Sequence, residues 1–101
     1  MSIVTSANAD HTDIRLRLPE RFDFSMHREF RKAYEAGKLG EANFTVDLRM
    51  TSSLDSAALG MLLQMWEHSG KRPAGVRIVN ASPTVRQILA IANFDKLMRI
   101  D

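Results

Sequence analysis

The sequence predicts an α/β domain in which about three helices pack on a mostly parallel sheet. From residue 44 onward the chain alternates strand, helix, strand, helix and strand, and each predicted helix has an apolar stripe. Parallel neighbours in a sheet need long crossover connections, which are usually helices. A length of 101 residues fits one domain with one core, so we expect residues 1–101 to form a single unit.

The first third of the chain is predicted to contain a strand and a helix. Residues 14–18 alternate apolar and charged side chains, which is typical of a strand with one solvated face. Ile3 and Val4 are expected to form a short strand before it. Ser25 is the expected N-cap of the helix, and Gly37 is its expected left-handed C-cap. The apolar face of this helix comprises Met26, Phe30, Ala33 and Tyr34.

The rest of the chain supplies the alternating elements. Residues 44–48 and 76–79 are rich in β-branched and apolar side chains and are predicted to be strands, as are residues 97–100. Asp55 is the expected N-cap of one intervening helix, and Ser82, which precedes a proline, is that of the other. Two apolar stripes are expected in the core: Leu59, Leu62, Leu63 and Trp66, and then Val85, Ile88, Leu89 and Ala92.

Composition and charge argue against several classes of protein. The hydrophobic fraction of 45% and the charged fraction of 26% are those of a globular protein. The absence of cysteine excludes disulfides, thiolate zinc sites and cysteine nucleophiles. There is no long apolar run and no signal sequence, so we expect a cytoplasmic protein that does not insert into membranes. The net charge of +2 arises from interspersed acids and bases, which argues against direct binding of nucleic acid.

Motifs for catalysis and for cofactors are missing as well. The three histidines lie in different segments without carboxylates at ligand spacing, and the five glycines form no phosphate-binding loop. We therefore expect no metal and no cofactor. Asp23, Asp47 and Asp55 lie near predicted strand ends, where capping and solvation explain them better than acid–base catalysis does. The sequence favours a protein that is not an enzyme.

One segment carries a more specific signal. Residues 46–63 run from a strand through a polar loop into a helix that begins with Asp55 and Ser56. With Asp55 as N-cap, Ser56 takes the first helical position, where its hydroxyl is expected to be exposed beside unpaired amides. The positive end of the helix dipole can hold a phosphate there. Serine is also common in first turns for capping alone, so the spacing leaves both interpretations open.

This segment resembles the signature of the STAS domain family, the bacterial anti-sigma factor antagonists. The resemblance rests on Asp47-Leu48, followed after a short loop by residues 54–63. It implies a small mixed sheet with helices packed on it. Weaker matches extend the resemblance over nearly the whole chain: residues 21–23, 76–80, 82–83 and 91–94.

The resemblance implies a regulatory function. In this family an anti-sigma factor that is also a kinase phosphorylates the serine after the aspartate, and that serine matches Ser56. The unphosphorylated antagonist binds the anti-sigma factor and frees the sigma factor, and a PP2C-type phosphatase restores it. Asp23 matches a family aspartate near the serine, and Asp55 matches the helix cap. A phosphate would add roughly −1.5 to −2 charges and release the partner.

Side chains beside the apolar stripe are expected to meet that partner. An exposed methionine is an adaptable contact residue. Met61 and Met65 lie beside the stripe and are expected to be such residues. The sequence leaves open the alternative, in which Met61 or Met65 fills the edge of the core. The expected contact residues are Ser56, Ala57, Met61, Gln64 and Met65.

Two departures from the family pattern concern the shape of this surface. Ala57 and Ala58 stand where a hydroxyl residue and a glycine are common, and Glu20 stands where glycine is often found. The first departure removes a second hydroxyl next to Ser56 but also removes a glycine where a partner could approach closely. An alternative function within the same family is that of an adaptor subunit of a phospholipid-handling ABC transporter.

Overall fold

The computed structural model describes residues 3–72 and 74–101. The longest helix has 13 residues, and no helix in these two ranges is long and apolar enough to cross a bilayer. The strands are β1 (Val4–Ala7), β2 (Asp13–Arg17), β3 (Arg21–Phe22), β4 (Asn43–Asp47), β5 (Ser53–Leu54), β6 (Val76–Val79) and β7 (Arg99–Ile100). The helices are α1 (His27–Glu35), α2 (Ser56–His68) and α3 (Pro83–Ile91), with short 3-10 helices at Phe24–Met26 and Phe94–Lys96.

Five of the strands form the main sheet, in the order β1-β2-β4-β6-β7. β1 is antiparallel to β2, and every later neighbour is parallel. The predicted α/β class with a mixed, mostly parallel sheet is therefore confirmed. From β2 onward the strand order follows the chain, so right-handed crossovers place their helices on one face of the sheet.

The hydrophobic core lies between this face and the helices. Alternate residues of β2, β4 and β6 enter it, for example Ile14, Val46 and Ile78, all at most 1% exposed. Their neighbours point the other way, and within residues 3–72 and 74–101 no helix packs on that side. We call this side the bare face; its outward residues include Arg15, Arg17, Thr45, Arg77 and Arg99.

The start of α1 differs from the prediction. Ser25 is not the cap of α1, whose N-cap is Met26; Asp23 caps the preceding 3-10 helix, and its carboxylate accepts a hydrogen bond of 2.9 Å from the Ser25 amide. A 3-10 turn then leads into α1. Gly37 is not left-handed. A Cβ atom on Gly37 would lie 2.7 Å from the Cβ of Ala42, so close packing explains this glycine.

The buried side of α2 also differs from the prediction. Leu62 is completely buried as expected, but Met61 and Met65 are only 5% and 0% exposed. The expectation that these two methionines are exposed is therefore wrong, and the alternative, that they fill the core, is correct. The cause is that α2 contacts α1 as well as the sheet, which widens its buried arc. Three residues of the expected stripe are only partly buried: Leu59, Leu63 and Trp66.

Candidate phosphorylation site and docking groove

The two short strands β3 and β5 bring the candidate site together. They are parallel, with Phe22 opposite Leu54. Asp23 and Asp55 each follow directly after these residues. Because the carboxyl ends of parallel strands meet at one edge, the two aspartates lie beside each other despite their separation in the sequence.

Both aspartates are helix caps. The Asp55 carboxylate accepts a hydrogen bond of 2.8 Å from the Ala58 amide at the start of α2, as predicted. Asp23 accepts from both the hydroxyl and the amide of Ser25, and these hydrogen bonds hold the pKa of Asp23 below its usual value. Asp23 is therefore a fixed negative charge at neutral pH, next to the start of α2.

Ser56 is the first residue of α2, and it is exposed. Asp55 caps only the Ala58 amide, and helix geometry leaves the amides of Ser56 and Ala57 without intrahelical partners. These amides and the helix dipole favour an anionic group at this position. The exposed Ser56 thus lies where a negatively charged group would be stabilised.

Two other serines precede Ser56 but differ in their surroundings. The Ser52 hydroxyl donates to the Glu20 carbonyl oxygen over 3.4 Å, and Ser53 lies within β5.

The loop at Glu20 is held by a backbone hydrogen bond. The Ser52 amide donates to the Glu20 carbonyl oxygen at 3.2 Å. Glu20 does not have a positive φ, so this loop does not require the glycine that is common in the family.

An open groove of about 360 Å³ runs between α1 and α2 and reaches Ala57, the residue that follows Ser56. On the α1 side, Phe24 is 61% exposed and stacks on His27 with ring centroids 4.4 Å apart. An exposed aromatic residue beside small side chains is typical of a protein-docking surface. We call it the docking groove; its lining residues are Phe24, His27, Phe30, Arg31, Tyr34, Ala57, Gly60, Met61 and Gln64.

Gly60 lines the docking groove, and the packing of the chain does not require glycine at this position. It lies within α2, and a Cβ atom on it would have no heavy atom within 4 Å apart from its chain neighbours and the backbone of α2 itself. Glycine in a helix interior costs roughly 0.5–1 kcal/mol relative to alanine. The glycine therefore leaves room for a group outside the chain. Ala58, in contrast, is completely buried, so the family glycine missing at that position does not alter the docking groove.

A second polar cluster lies at the end of β4, on the bare face. Asp47 is 0% exposed there and accepts hydrogen bonds from the Arg49 amide at 3.0 Å and from Asn80 at 3.1 Å. Burial raises the pKa of Asp47, but these hydrogen bonds and the Arg49 charge outweigh it, so its pKa lies below the usual range. The guanidinium groups of three arginines lie within 3.7 Å of its carboxylate: Arg15, Arg17 and Arg49.

Of the expected contact residues, Ala57, Met61 and Gln64 line the docking groove, but sequence reasoning missed the α1 side of the groove and the Asp47 cluster. Solvation and capping were the expected explanations for Asp47, and solvation is wrong because the carboxylate is buried. The alternating arginines along β2 are visible in the sequence. That they pair with Asp47 of β4 is not, because the two strands lie about 30 residues apart in the chain. Phe24, which directly follows the cap Asp23, was the corresponding signal for the docking groove.

Comparison with known proteins identifies the family to which the chain belongs. Residues 5–99 match the family model described as "Mlab, STAS domain". The chain belongs to the STAS domain family, and the predicted resemblance is confirmed. One relative is the "STAS-domain containing protein PA14_20770" of Pseudomonas aeruginosa (strain UCBPP-PA14). It is 43% identical over 100 residues, which cover 99% of each chain.

Solved structures share the fold at low sequence identity. A putative anti-sigma factor antagonist from Thermotoga maritima is 18% identical, with a TM-score of 0.77 over 97% of this chain and 84% of that one. The unphosphorylated antagonist SpoIIAA is 16% identical, with a TM-score of 0.77 over 99% of this chain and 88% of that one. Phosphorylated SpoIIAA from Bacillus is 15% identical, with a TM-score of 0.66 over 99% and 91%. At these identities the likeness shows the fold.

Proposed function

We propose that this protein is a cytoplasmic anti-sigma factor antagonist whose binding is switched by phosphorylation of Ser56. The unphosphorylated form binds an anti-sigma factor and frees the sigma factor. The kinase is the anti-sigma factor itself or a separate serine kinase, and a PP2C-type phosphatase reverses the modification. The protein is a substrate of these enzymes and has no catalytic step of its own. The observation that carries the proposal is the exposed Ser56 hydroxyl at the start of α2, beside the docking groove.

The fold relatives support this function. Several similar solved structures are anti-sigma factor antagonists, and one of them, SpoIIAA, was solved in both unphosphorylated and phosphorylated forms. The position of Ser56 fits the same type of modification, since an anion there is stabilised within the chain.

The switch depends on where the new charge lies. A phosphate adds roughly −1.5 to −2 charges at Ser56, next to the carboxylates of Asp23 and Asp55. In the free protein, water and the α2 dipole stabilise this charge. Under a docked partner the phosphate would lose its water, and the two carboxylates would add repulsion. Desolvating such a group is costly enough to release the partner.

The docking groove gives the partner its contact surface. Ala57 and Gly60 leave the backbone of α2 accessible, and Gln64 continues the same side of the helix with a polar group. Phe24 supplies an exposed aromatic surface across from them. A phosphate on Ser56 lies next to Ala57, so it affects the groove directly.

Isothermal titration against the candidate anti-sigma factor tests the proposal. Ser56→Asp should weaken binding about a hundredfold, which corresponds to about 3 kcal/mol. Ser56→Ala should bind like wild type and no longer respond to the kinase. Ser52→Asp is the matched control, because it adds the same charge at a nearby exposed serine outside the helix, and it should change affinity less than threefold.

Three results would contradict the proposal in different ways. Equal affinities for wild type, Ser56→Ala and Ser56→Asp would do so even if Ser56 carried phosphate. Phosphate mapped to Ser52 or Ser53, with Ser56 unmodified, would move the site. A partner that is a transporter ATPase, held equally by all variants, would assign the protein to the adaptor function instead.

A further inference from the structure

The bare face carries a row of arginines. The strand register places four residues side by side across β2, β4, β6 and β7: Arg15, Thr45, Arg77 and Arg99. Neighbouring strands lie about 4.8 Å apart, so the row spans about 14 Å. The three arginine side chains are between 50% and 66% exposed.

Other charged groups strengthen the positive character of this surface. Arg17 and Arg49 stand beside Asp47, and Arg86 of α3 donates to the Asp101 carbonyl oxygen at 2.6 Å. Together with the row this makes six arginines, against the three aspartates at positions 13, 47 and 101. The resulting net charge of +3 on one face exceeds the +2 of the whole chain.

The arginines are held in place before any partner arrives. Asp47 holds Arg15 at 3.4 Å, and Asp101 pairs with both Arg77 and Arg99. Ordered side chains lose less entropy on binding. Each guanidinium has five N–H donors, and these ion pairs use only some of them. Donors therefore remain available for a ligand on the bare face.

An open depression of about 510 Å³ lies on this face, and its charged lining residues are Arg15, Arg77, Arg86 and Asp101. Thr45 contributes a hydroxyl to its lining, Asn80 an amide, and Val79 and Ala81 apolar surface. Of the described residues that line it, none is aromatic, although aromatic stacking is the usual means of binding single-stranded nucleic acid. The lining favours a polypeptide instead.

We propose that the bare face binds an acidic segment of a partner protein, whose carboxylates pair with Arg15, Arg77 and Arg99. Arginine matches a carboxylate with two parallel hydrogen bonds, which lysine cannot provide. An extended chain advances about 3.3 Å per residue, so four to five residues cross the row. This surface is on the opposite side of the sheet from the helices, so it is independent of the proposed function of Ser56.

Fluorescence anisotropy with a labelled twelve-residue peptide of alternating Glu and Ser tests this inference. Wild-type protein should bind it in 50 mM NaCl and at least tenfold more weakly in 300 mM NaCl. Arg15→Gln/Arg77→Gln should lower the affinity at least tenfold. Lys32→Gln/Lys38→Gln removes the same charge from exposed positions elsewhere and should lower it less than threefold. A Gln-Ser peptide should not bind.

Further variants separate the alternatives. Arg99→Gln, which leaves the Asp47 pairs intact, should weaken peptide binding on its own if the double variant fails to fold. Ser56→Asp should leave peptide binding unchanged, so failure of the switch and failure of this inference are distinguishable. Absence of binding, or an equal loss in both double variants, overturns the inference. Tighter, arginine-dependent binding of a single-stranded oligonucleotide or of phosphatidylglycerol vesicles also overturns it.

Discussion

The docking groove and the bare face lie on opposite sides of the same sheet and differ in how charge is placed on them. Beside the groove, the carboxylates of Asp23 and Asp55 cap the starts of a 3-10 helix and of α2, and the adjacent surface of α2 includes Ala57 and Gly60. On the bare face, arginines surround the buried Asp47. The first surface is therefore suited to control by an added phosphate. The second is suited to electrostatic binding that depends on ionic strength.

The topology explains why both surfaces exist. Successive crossovers in one direction place the helices together, so the bare face remains available for long polar side chains. The same crossovers bring the start of α2 to the carboxyl ends of β3 and β5. The docking groove thus lies beside the start of α2, whereas the bare face is formed by side chains of neighbouring strands in register.

The largest expected effect is a loss of stability that distinguishes core residues of α2 from residues of the docking groove. Met65→Asp should destabilise the protein by about 4 kcal/mol or more, because it buries an unpaired charge at a position that is 0% exposed. The neighbouring change Gln64→Asp should leave the melting temperature within about 2 °C and weaken anti-sigma factor binding. Thermal denaturation and titration of both variants provide the measurement. A stable Met65→Asp protein would contradict the packing of α2.

A second prediction tests the Asp47 cluster on the bare face. Asp47→Asn should reduce the free energy of unfolding by about 2 kcal/mol at pH 7, because charged hydrogen bonds to Arg49 and the neighbouring arginines are weakened. The pKa of Asp47 is lowered in the folded state. Its stabilisation is therefore complete above the unfolded pKa of about 3.9 and is lost as the pH falls through the folded value.

Urea denaturation at several pH values measures this effect. The stability difference between wild type and Asp47→Asn should shrink as the pH is lowered from 5 to 2. Asp10→Asn, an exposed loop substitution, is the control and should show no difference at pH 7 beyond about 0.5 kcal/mol. A difference that stays constant with pH would mean that the Asp47 charge does not contribute to stability.

The smallest effect concerns Gly60. Gly60→Ala should stabilise the fold by about 0.5–1 kcal/mol and raise the melting temperature by about 4 °C, since the new methyl group meets no atom outside the surrounding backbone of α2. The same change should weaken anti-sigma factor binding about tenfold if the partner approaches the backbone there. Gly37→Ala is the contrasting control and should destabilise, because its Cβ would clash with Ala42. Unchanged affinity for Gly60→Ala would place the partner elsewhere on the surface.

Much of the fold could be predicted because its signals are local. The alternation in residues 14–18 and the cap at Ser82 each depend on residues a few positions apart, and both were correct. The cap at Asp55 and the first helical position of Ser56 were correct for the same reason. Predictions failed where two local signals competed, as at Asp23 and Ser25, which are both capable N-caps two residues apart.

The sequence by itself determined the order of the elements, the α/β class and the placement of Ser56 at a helix start, because periods of 2 and 3.6 and capping chemistry act over a few residues. Only the tertiary structure decided which side of α2 is buried, because that depends on the position of α1. Only the register of β2, β4 and β6 placed Arg15 beside Thr45 and Arg77 and enclosed Asp47. Such contacts join residues about 30 positions apart in the chain, and no local pattern specifies them.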